Sequence, residues 1–201
     1  MKRIGTALIG CGKVGQTHAR ALAALDESRF EAVYHPSLEK AAAFAGTYGV
    51  QPYSDLAAML ARPGLGMVTI CTPHLSHPEL AVACAQARLH VLVEKPMAVD
   101  LRGCDRMIQA AEAAGVQLGV VSQRRFYEPV RRVRQAILDG KIGKPVLGTV
   151  TVLGWRDEAY YRADPWRGRW ATEGGGVMLT QTTHQIDLFQ WLMGPIDELF
   201  G

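Results

Sequence analysis

The segment IGTALIGCGKVG, residues 4–15, decides the fold. An apolar run, Gly5–Gly10, leads into Gly10-Cys11-Gly12-Lys13-Val14-Gly15, and a helical pattern over Val14–Ala24 follows. A G-x-G-x-x-G turn between a strand and a helix has a physical meaning. The first glycine permits a tight turn, the second lets the backbone approach a pyrophosphate, and the third lets the helix pack closely on the sheet. Unpaired N–H groups at the helix start then face the anion. Gly10, Gly12, Lys13, Val14 and Gly15 are therefore expected to hold a dinucleotide. An ordinary glycine turn is the competing reading, and the strand–turn–helix setting disfavours it.

Outward from this turn, apolar runs alternate with Ala-, Leu- and Glu-rich stretches up to about residue 122. Strands are predicted at Gly5–Gly10, Glu31–His35, Met67–Cys71, His90–Val93 and Gln117–Val121. Helices are predicted at Val14–Ala24, Leu38–Tyr48, Leu56–Ala61, Pro78–Ala87 and Leu101–Ala114. Such alternation predicts a Rossmann-type α/β fold, a doubly wound parallel sheet with helices on both faces. The strands lack in/out alternation, as buried parallel strands do. After residue 122 the pattern changes: Glu128–Asp139 reads as a helix, Val146–Gly154 as a β-branched strand and Val177–Met193 as a helix. Between the last two lies an aromatic and arginine-rich loop, WRDEAYYRADPWRGRWATEGGG. One strand and one helix cannot bury a core of their own. The pattern thus gives a dinucleotide-binding domain, residues 1–122, and the start of an incomplete α+β second domain, residues 123–201.

The 201 residues are 48% hydrophobic and 20% charged, the balance of a globular chain. A net charge of +3 with one arginine cluster, Arg124 to Arg134, is a poor footprint for nucleic acid and fits a solvated helix face. Cys11, Cys71, Cys84 and Cys104 sit among apolar neighbours, which predicts reduced thiols in a cytoplasmic setting. The start, MKRIGTALIGCG, has the basic residues and apolar run of a signal peptide. Its apolar run is short and breaks at Gly10-Cys11-Gly12, so a first strand fits better. No segment reaches the ~20 apolar residues of a membrane span.

Four further motifs carry chemistry. The fingerprint expects an acid about 20 residues past the glycines, at the end of the second strand. Here that place holds Val33-Tyr34-His35-Pro36-Ser37, with no carboxylate. His35 and Ser37 would tolerate a 2′-phosphate, a mild lean to NADP over NAD, or His35 merely ends a strand. Cys71, His74 and His77 have a zinc-like spacing, but a third or fourth ligand with a supporting shell is wanting. They read as loop and helix-start residues, so no metal is expected.

Glu94-Lys95-Pro96 ends the strand His90–Val93, where ligands of an open α/β sheet bind. The Lys95 ammonium there could hydrogen-bond a substrate hydroxyl and stabilise its alkoxide; a structural Glu–Lys pair is the alternative. Finally, Gly174-Gly175-Gly176 precedes Thr180, His184 and Asp187. On one helix Thr180 and His184 would be a turn apart, with His184 a general base oriented by Thr180 or Asp187. A core histidine capped by Asp187 is the bland alternative.

Together these residues resemble the Gfo/Idh/MocA oxidoreductases, through GCGKVG, CTPHLSHPELA, VEKPMA, QRRF before a helix, and EGGGVMLTQTTHQIDLFQWLMG. The resemblance spans essentially the whole chain. It implies an NAD(P)-dependent enzyme acting on sugars, sugar derivatives or cyclitols. It implies Lys95 beside nicotinamide and substrate, His184 as the acid–base residue, and Pro73 packed at the cofactor. Thr72, His77, Glu94 and Gln123 join the implied cofactor set. The implied substrate set is Lys95, Arg125, Tyr161, Trp166, Arg167, Thr180 and His184, with Tyr160 in the same aromatic loop. It further implies a second-domain sheet used for oligomerisation, so a homo-oligomer is expected where that sheet is complete. Three departures stand out: Thr180 where many members carry Asp, His35 at the ribose-binding acid, and a chain end at Gly201 that suggests C-terminal truncation. A dinucleotide-binding protein without turnover is the alternative these departures support.

Overall fold

In the computed structural model, residues 3–201 are described; Met1 and Lys2, the start of the basic N-terminal run, lie outside the described residues. Two compact units form: Met1–Val121 with Thr172–Gly174, and Ser122–Ala171 with Gly175–Gly201.

The first unit contains β1 (Ile4–Ile9), α1 (Lys13–Ala24), β2 (Ser28–Tyr34), α2 (Leu38–Tyr48), β3 (Gln51–Tyr53) and α3 (Leu56–Leu60). It continues with β4 (Leu65–Ile70), α4 (His77–Gln86), β5 (His90–Val93), α5 (Leu101–Ala114) and β6 (Leu118–Val120). The strands form one sheet in the order β3-β2-β1-β4-β5-β6, with every pair parallel. This is the Rossmann arrangement, whose strand order reverses between β1 and β4. Ala7 and Ile9 face a core with Met59, Val68, Ile70 and Met107, while Leu8 faces a second with Ala19, Val33 and Phe44. Both faces are therefore covered, which explains the unbroken apolar runs. Helix ends follow local chemistry: Ser37, Asp55 and Asp100 cap helix starts, and Gly49 and Gly115 close helices in the left-handed conformation. Edge strand β3 escaped the sequence pattern because its three residues, Gln-Pro-Tyr, carry no apolar run.

Register aligns the strand ends. Ile9 is level with Tyr34 and Ile70, Ile70 with Val93, and Val93 with Val120. Sheet bonding continues one residue further, through Gly10 N–H to Tyr34 O, Cys71 N–H to Ile9 O and Glu94 N–H to Ile70 O. The glycine turn, Thr72-Pro73 and Glu94-Lys95-Pro96 consequently leave the sheet at one edge.

The second unit contains α6 (Glu128–Leu138), α7 (Glu158–Arg162), α8 (Trp170–Glu173, ending in the first unit), α9 (Val177–Thr180) and α10 (Thr183–Met193). Two expectations are corrected here. Residues 146–154 form no strand; Val146, Leu147 and Leu153 are 92%, 81% and 94% exposed. β-Branched residues favour a strand only where a partner completes its ladder, and none pairs with this segment among the described residues. The single helix expected over Val177–Met193 is two helices, broken at Gln181-Thr182. Val177 O takes both the Gln181 and Thr182 N–H groups, and Thr180 Oγ1 bonds back to Gly176 O at 3.2 Å. Such threonine back-bonding competes with the helix ladder. Thr180 and His184 are therefore not successive turns of one helix.

Candidate dinucleotide and hydride-transfer site

The three fingerprint glycines meet different surroundings. Gly10 has φ +107°, and a Cβ there would lie 2.7 Å from Cys71 O. A Cβ on Gly15 would overlap Gly10 O, so the helix could not sit where it does. A Cβ on Gly12 would meet nothing within 4 Å. The fold thus requires Gly10 and Gly15, whereas Gly12 leaves open space at the start of α1. No side chain caps that helix and no acid occupies its first turn, which opens with Lys13 and Val14. Backbone N–H groups at such an end attract anions. These features fit a bound diphosphate.

At the end of β2, His35 Nδ1 accepts the Ser37 N–H at 2.9 Å, and Ser37 Oγ accepts the Lys40 N–H at 3.3 Å. Both residues build the turn into α2, and the His35 ring keeps Nε2–H as its second polar group.

The edge between β4 and β5 is closely cross-tied. Ser76 Oγ donates to Thr72 Oγ1 and lies equally close, 2.7 Å, to Pro73 O. His77 is fully buried, with Nδ1 2.9 Å from Pro96 O and Nε2 2.9 Å from Thr72 O. His74 Nδ1 lies 3.1 Å from Glu173 O, tying the 172–174 segment to the first unit. Burial holds both histidines below their ordinary pKa, against the pull of their carbonyl partners. Burial also raises the Cys11 thiol to about 11 and pushes Cys71 up. Among the described residues no group of three or more His, Cys, Asp or Glu is arranged to hold a metal ion.

Glu94 gives Oε1 to His18 Nε2 at 2.9 Å and Oε2 to the Lys95 N–H at 3.0 Å. Burial alone would raise this carboxyl, but His18, then the Lys95 N–H and ammonium, hold it below the ordinary carboxylate range. Glu94 thereby ties α1 to the turn carrying Lys95. The sequence reading missed His18; its signal was a polar residue next to the buried stripe Gly15, Ala19, Leu22.

In the second unit, Gln123 and Arg125 lie in a 3-10 turn, Gln123–Phe126. Arg125 Nε and Nη2 grip Asp187 at 2.9 and 2.5 Å, and its guanidinium lies 5.7 Å from the Trp191 ring. Asp187 is thus committed to Arg125. The aromatic loop also packs on itself: Arg167 lies 4.3 Å from the Tyr160 ring and 5.0 Å from Trp166, and Tyr161 stands edge-on to Tyr160. These contacts bring Tyr160, Tyr161, Trp166 and Arg167 together. Thr180 and His184 lie on α9 and α10 respectively.

Comparison with known proteins agrees with the Rossmann fold of the first unit. Residues 4–122 match the model described as "Oxidoreductase family, NAD-binding Rossmann fold", and residues 130–201 match the GFO/IDH/MocA C-terminal domain. Myo-inositol 2-dehydrogenase of Thermotoga maritima is 32% identical, covering 99% of this chain and 57% of that protein. D-apiose dehydrogenase of Paraburkholderia graminis is 31% identical, covering 99% of this chain and 52% of that protein. The WlbA dehydrogenase of Bordetella pertussis, solved with NADH and UDP-GlcNAcA, superposes with a TM-score of 0.90 at 36% identity, covering 96% of this chain and 60% of that one. The chain spans about half the length of the curated relatives it matches. With the resemblance carried by its motifs matched at both family regions, the chain belongs to the Gfo/Idh/MocA oxidoreductase family, whose N-terminal region is an NAD-binding Rossmann fold.

Proposed function

We propose that this protein is an NAD(P)-dependent oxidoreductase acting on a hydroxyl or keto group of a sugar, sugar derivative or cyclitol. The observation that carries the proposal is the open position at Gly12, beside an uncapped helix start, on the sheet edge that also carries Glu94-Lys95-Pro96. The diphosphate is held by backbone N–H groups of the glycine turn and the start of α1. When bound, the nicotinamide supplies a carbon that accepts or releases hydride. Thr72 and Pro73 line the cofactor, and Glu94 fixes the turn from which Lys95 projects. Lys95 donates a hydrogen bond to the reacting oxygen and stabilises its alkoxide character. His184 is assigned the hydroxyl proton, a task an imidazole performs near neutral pH. The aromatic loop with Tyr161, Trp166 and Arg167 suits a polyhydroxylated ring, which stacks on aromatic faces and bonds to a guanidinium. The related proteins that act on myo-inositol and D-apiose, and the one solved with UDP-GlcNAcA, support that substrate class. With His35 in place of an acid, NADP is accepted alongside NAD.

The test is nicotinamide absorbance across cyclitols, aldoses and UDP-linked sugars, with each cofactor. Turnover on at least one polyhydroxylated ring is expected. Tight NADH or NADPH binding with no turnover anywhere in the panel would overturn the enzymatic proposal.

A further inference from the structure

Beyond the residues assigned to chemistry, one buried side chain spans two parts of the site. His77 opens α4 and is 0% exposed, yet neither ring nitrogen faces apolar packing. One lies 2.9 Å from the carbonyl of Thr72, in the turn after β4; the other lies 2.9 Å from the carbonyl of Pro96, in the turn after β5. Carbonyl oxygens only accept, and a neutral imidazole carries one N–H, so the ring donates to one of these carbonyls and packs against the other, donating to both only when protonated. An apolar side chain could fill the same volume without burying polar atoms, so packing alone does not explain an imidazole here. The two turns lack a strand pairing to hold them: β4 and β5 pair only from Met67–His90 to Ile70–Val93. Past that point, the Glu94 N–H bonds Ile70 O, and the chains then part toward Thr72-Pro73 and Lys95-Pro96.

Resting on the function proposed above, we propose that His77 is a positioning residue: its ring couples the Thr72-Pro73 turn to the Lys95-Pro96 turn and sets the placement of Lys95 against the nicotinamide. His77 touches neither cofactor nor substrate and acts through the two carbonyls. Neighbouring ties support each turn separately. Ser76 braces Thr72 from within its own turn, and Glu94 braces the Lys95 N–H from within the other. His77 joins one turn to the other.

The test compares His77→Leu and His77→Gln with the wild type, all as the full chain. Leucine fills the space without a donor, and glutamine restores one. Three measurements are made: hydrogen exchange at the amides of Thr72, His74, Lys95 and Met97, NADH affinity by fluorescence titration, and turnover. In His77→Leu, exchange is expected to quicken in both turns together. NADH affinity should stay within about fivefold, while turnover falls by about 100-fold, the scale of a misplaced reacting group. His77→Gln should recover part of both losses. Unchanged exchange in His77→Leu, or a change confined to one turn, would overturn the coupling whatever the activity. Turnover equal to wild type would overturn the positioning role. Should His77→Leu fail to fold, His77→Gln decides: slower turnover with quickened exchange in both turns supports the role, and wild-type values of both refute it. The exchange measurement needs no substrate, so a failure of the enzymatic proposal is distinguishable from a failure of this one.

Discussion

Gly12→Ala and Gly15→Ala should separate cofactor binding from folding, because the same added methyl meets opposite surroundings three residues apart. At Gly12 the backbone is extended, φ −80° and ψ −173°, which alanine adopts freely, and the new Cβ meets nothing within 4 Å. The folding cost is that of a poorer helix cap, about 0.5–1 kcal/mol, or roughly 1–4 °C in Tm for a chain of this size. The methyl does occupy the space proposed for the diphosphate. Losing one charge-assisted backbone hydrogen bond of about 1.5–3 kcal/mol weakens NADH roughly 10- to 100-fold. At Gly15 the methyl would lie closer than 3.0 Å to a backbone oxygen, Gly10 O, a separation real Cβ atoms essentially never show. A carbonyl cannot rotate aside as a side chain can, so α1 must shift. Overpacking of about 1–3 kcal/mol, at its upper end here, exceeds the ~1 kcal/mol that alanine gains over glycine in a helix. Thermal unfolding and NADH fluorescence titration read the two effects. Gly12→Ala binding NADH within twofold of wild type would refute the placement of the diphosphate. Unfolding as early as Gly15→Ala would refute the open space.

Lys95→Ala should lower turnover at least ~100-fold, the scale of one removed transition-state donor, while NADH affinity stays within a few-fold; equal loss of both would make Lys95 structural. His35→Asp should shift the NADP/NAD preference toward NAD, through repulsion of the 2′-phosphate and a grip on the ribose hydroxyls; an unchanged ratio removes His35 from the cofactor site. Glu94→Gln should destabilise the fold at neutral pH by about 1.5–3 kcal/mol, the range for a hydrogen bond to a charged group. Because folding lowers the Glu94 pKa, its contribution is full above the unfolded carboxyl value of about 4.3 and is lost as pH falls through the depressed folded value. The gap between wild type and variant in urea unfolding should therefore narrow on acidification, and a gap constant with pH would assign the effect to packing.

Local periodicity and turn chemistry made most of the first unit legible. Strand His90–Val93 and helices Leu38–Tyr48 and Leu101–Ala114 have the bounds expected, since a β5-type apolar run and Asp- or Ser-capped, Gly-closed helices are specified within their own residues. The remaining elements of that unit each shifted at one end or both, by at most three residues, where caps and fraying decide. Expectations failed where the deciding partner is distant or absent. Val146–Gly154 has the composition of a strand without a ladder to join, and Val177–Met193 has the periodicity of one helix, yet Thr180 bonds back to the backbone at Gly176.

The candidate site was legible wherever glycine geometry or a motif fixes backbone position, and opaque wherever a side chain answers to another part of the fold. Nothing near Asp187 in sequence announces Arg125, 62 residues away, and nothing near Glu94 announces His18, 76 residues away. Nothing near His77 in sequence announces its burial between the Thr72 and Pro96 carbonyls, which became visible only with the sheet order that sets β4 beside β5. These ties have a functional consequence. Thr72, Ser76 and His77 bond within one group and His18 and Glu94 within another, so side chains behind the two turns hold them in place. On the function proposed above, cofactor binding then need not order those groups, and its free energy goes to the contacts proposed at Gly12 and the start of α1. A preorganised edge of this kind predicts that cofactor affinity answers chiefly to the glycine turn, while the placement of Lys95 answers to the residues behind it.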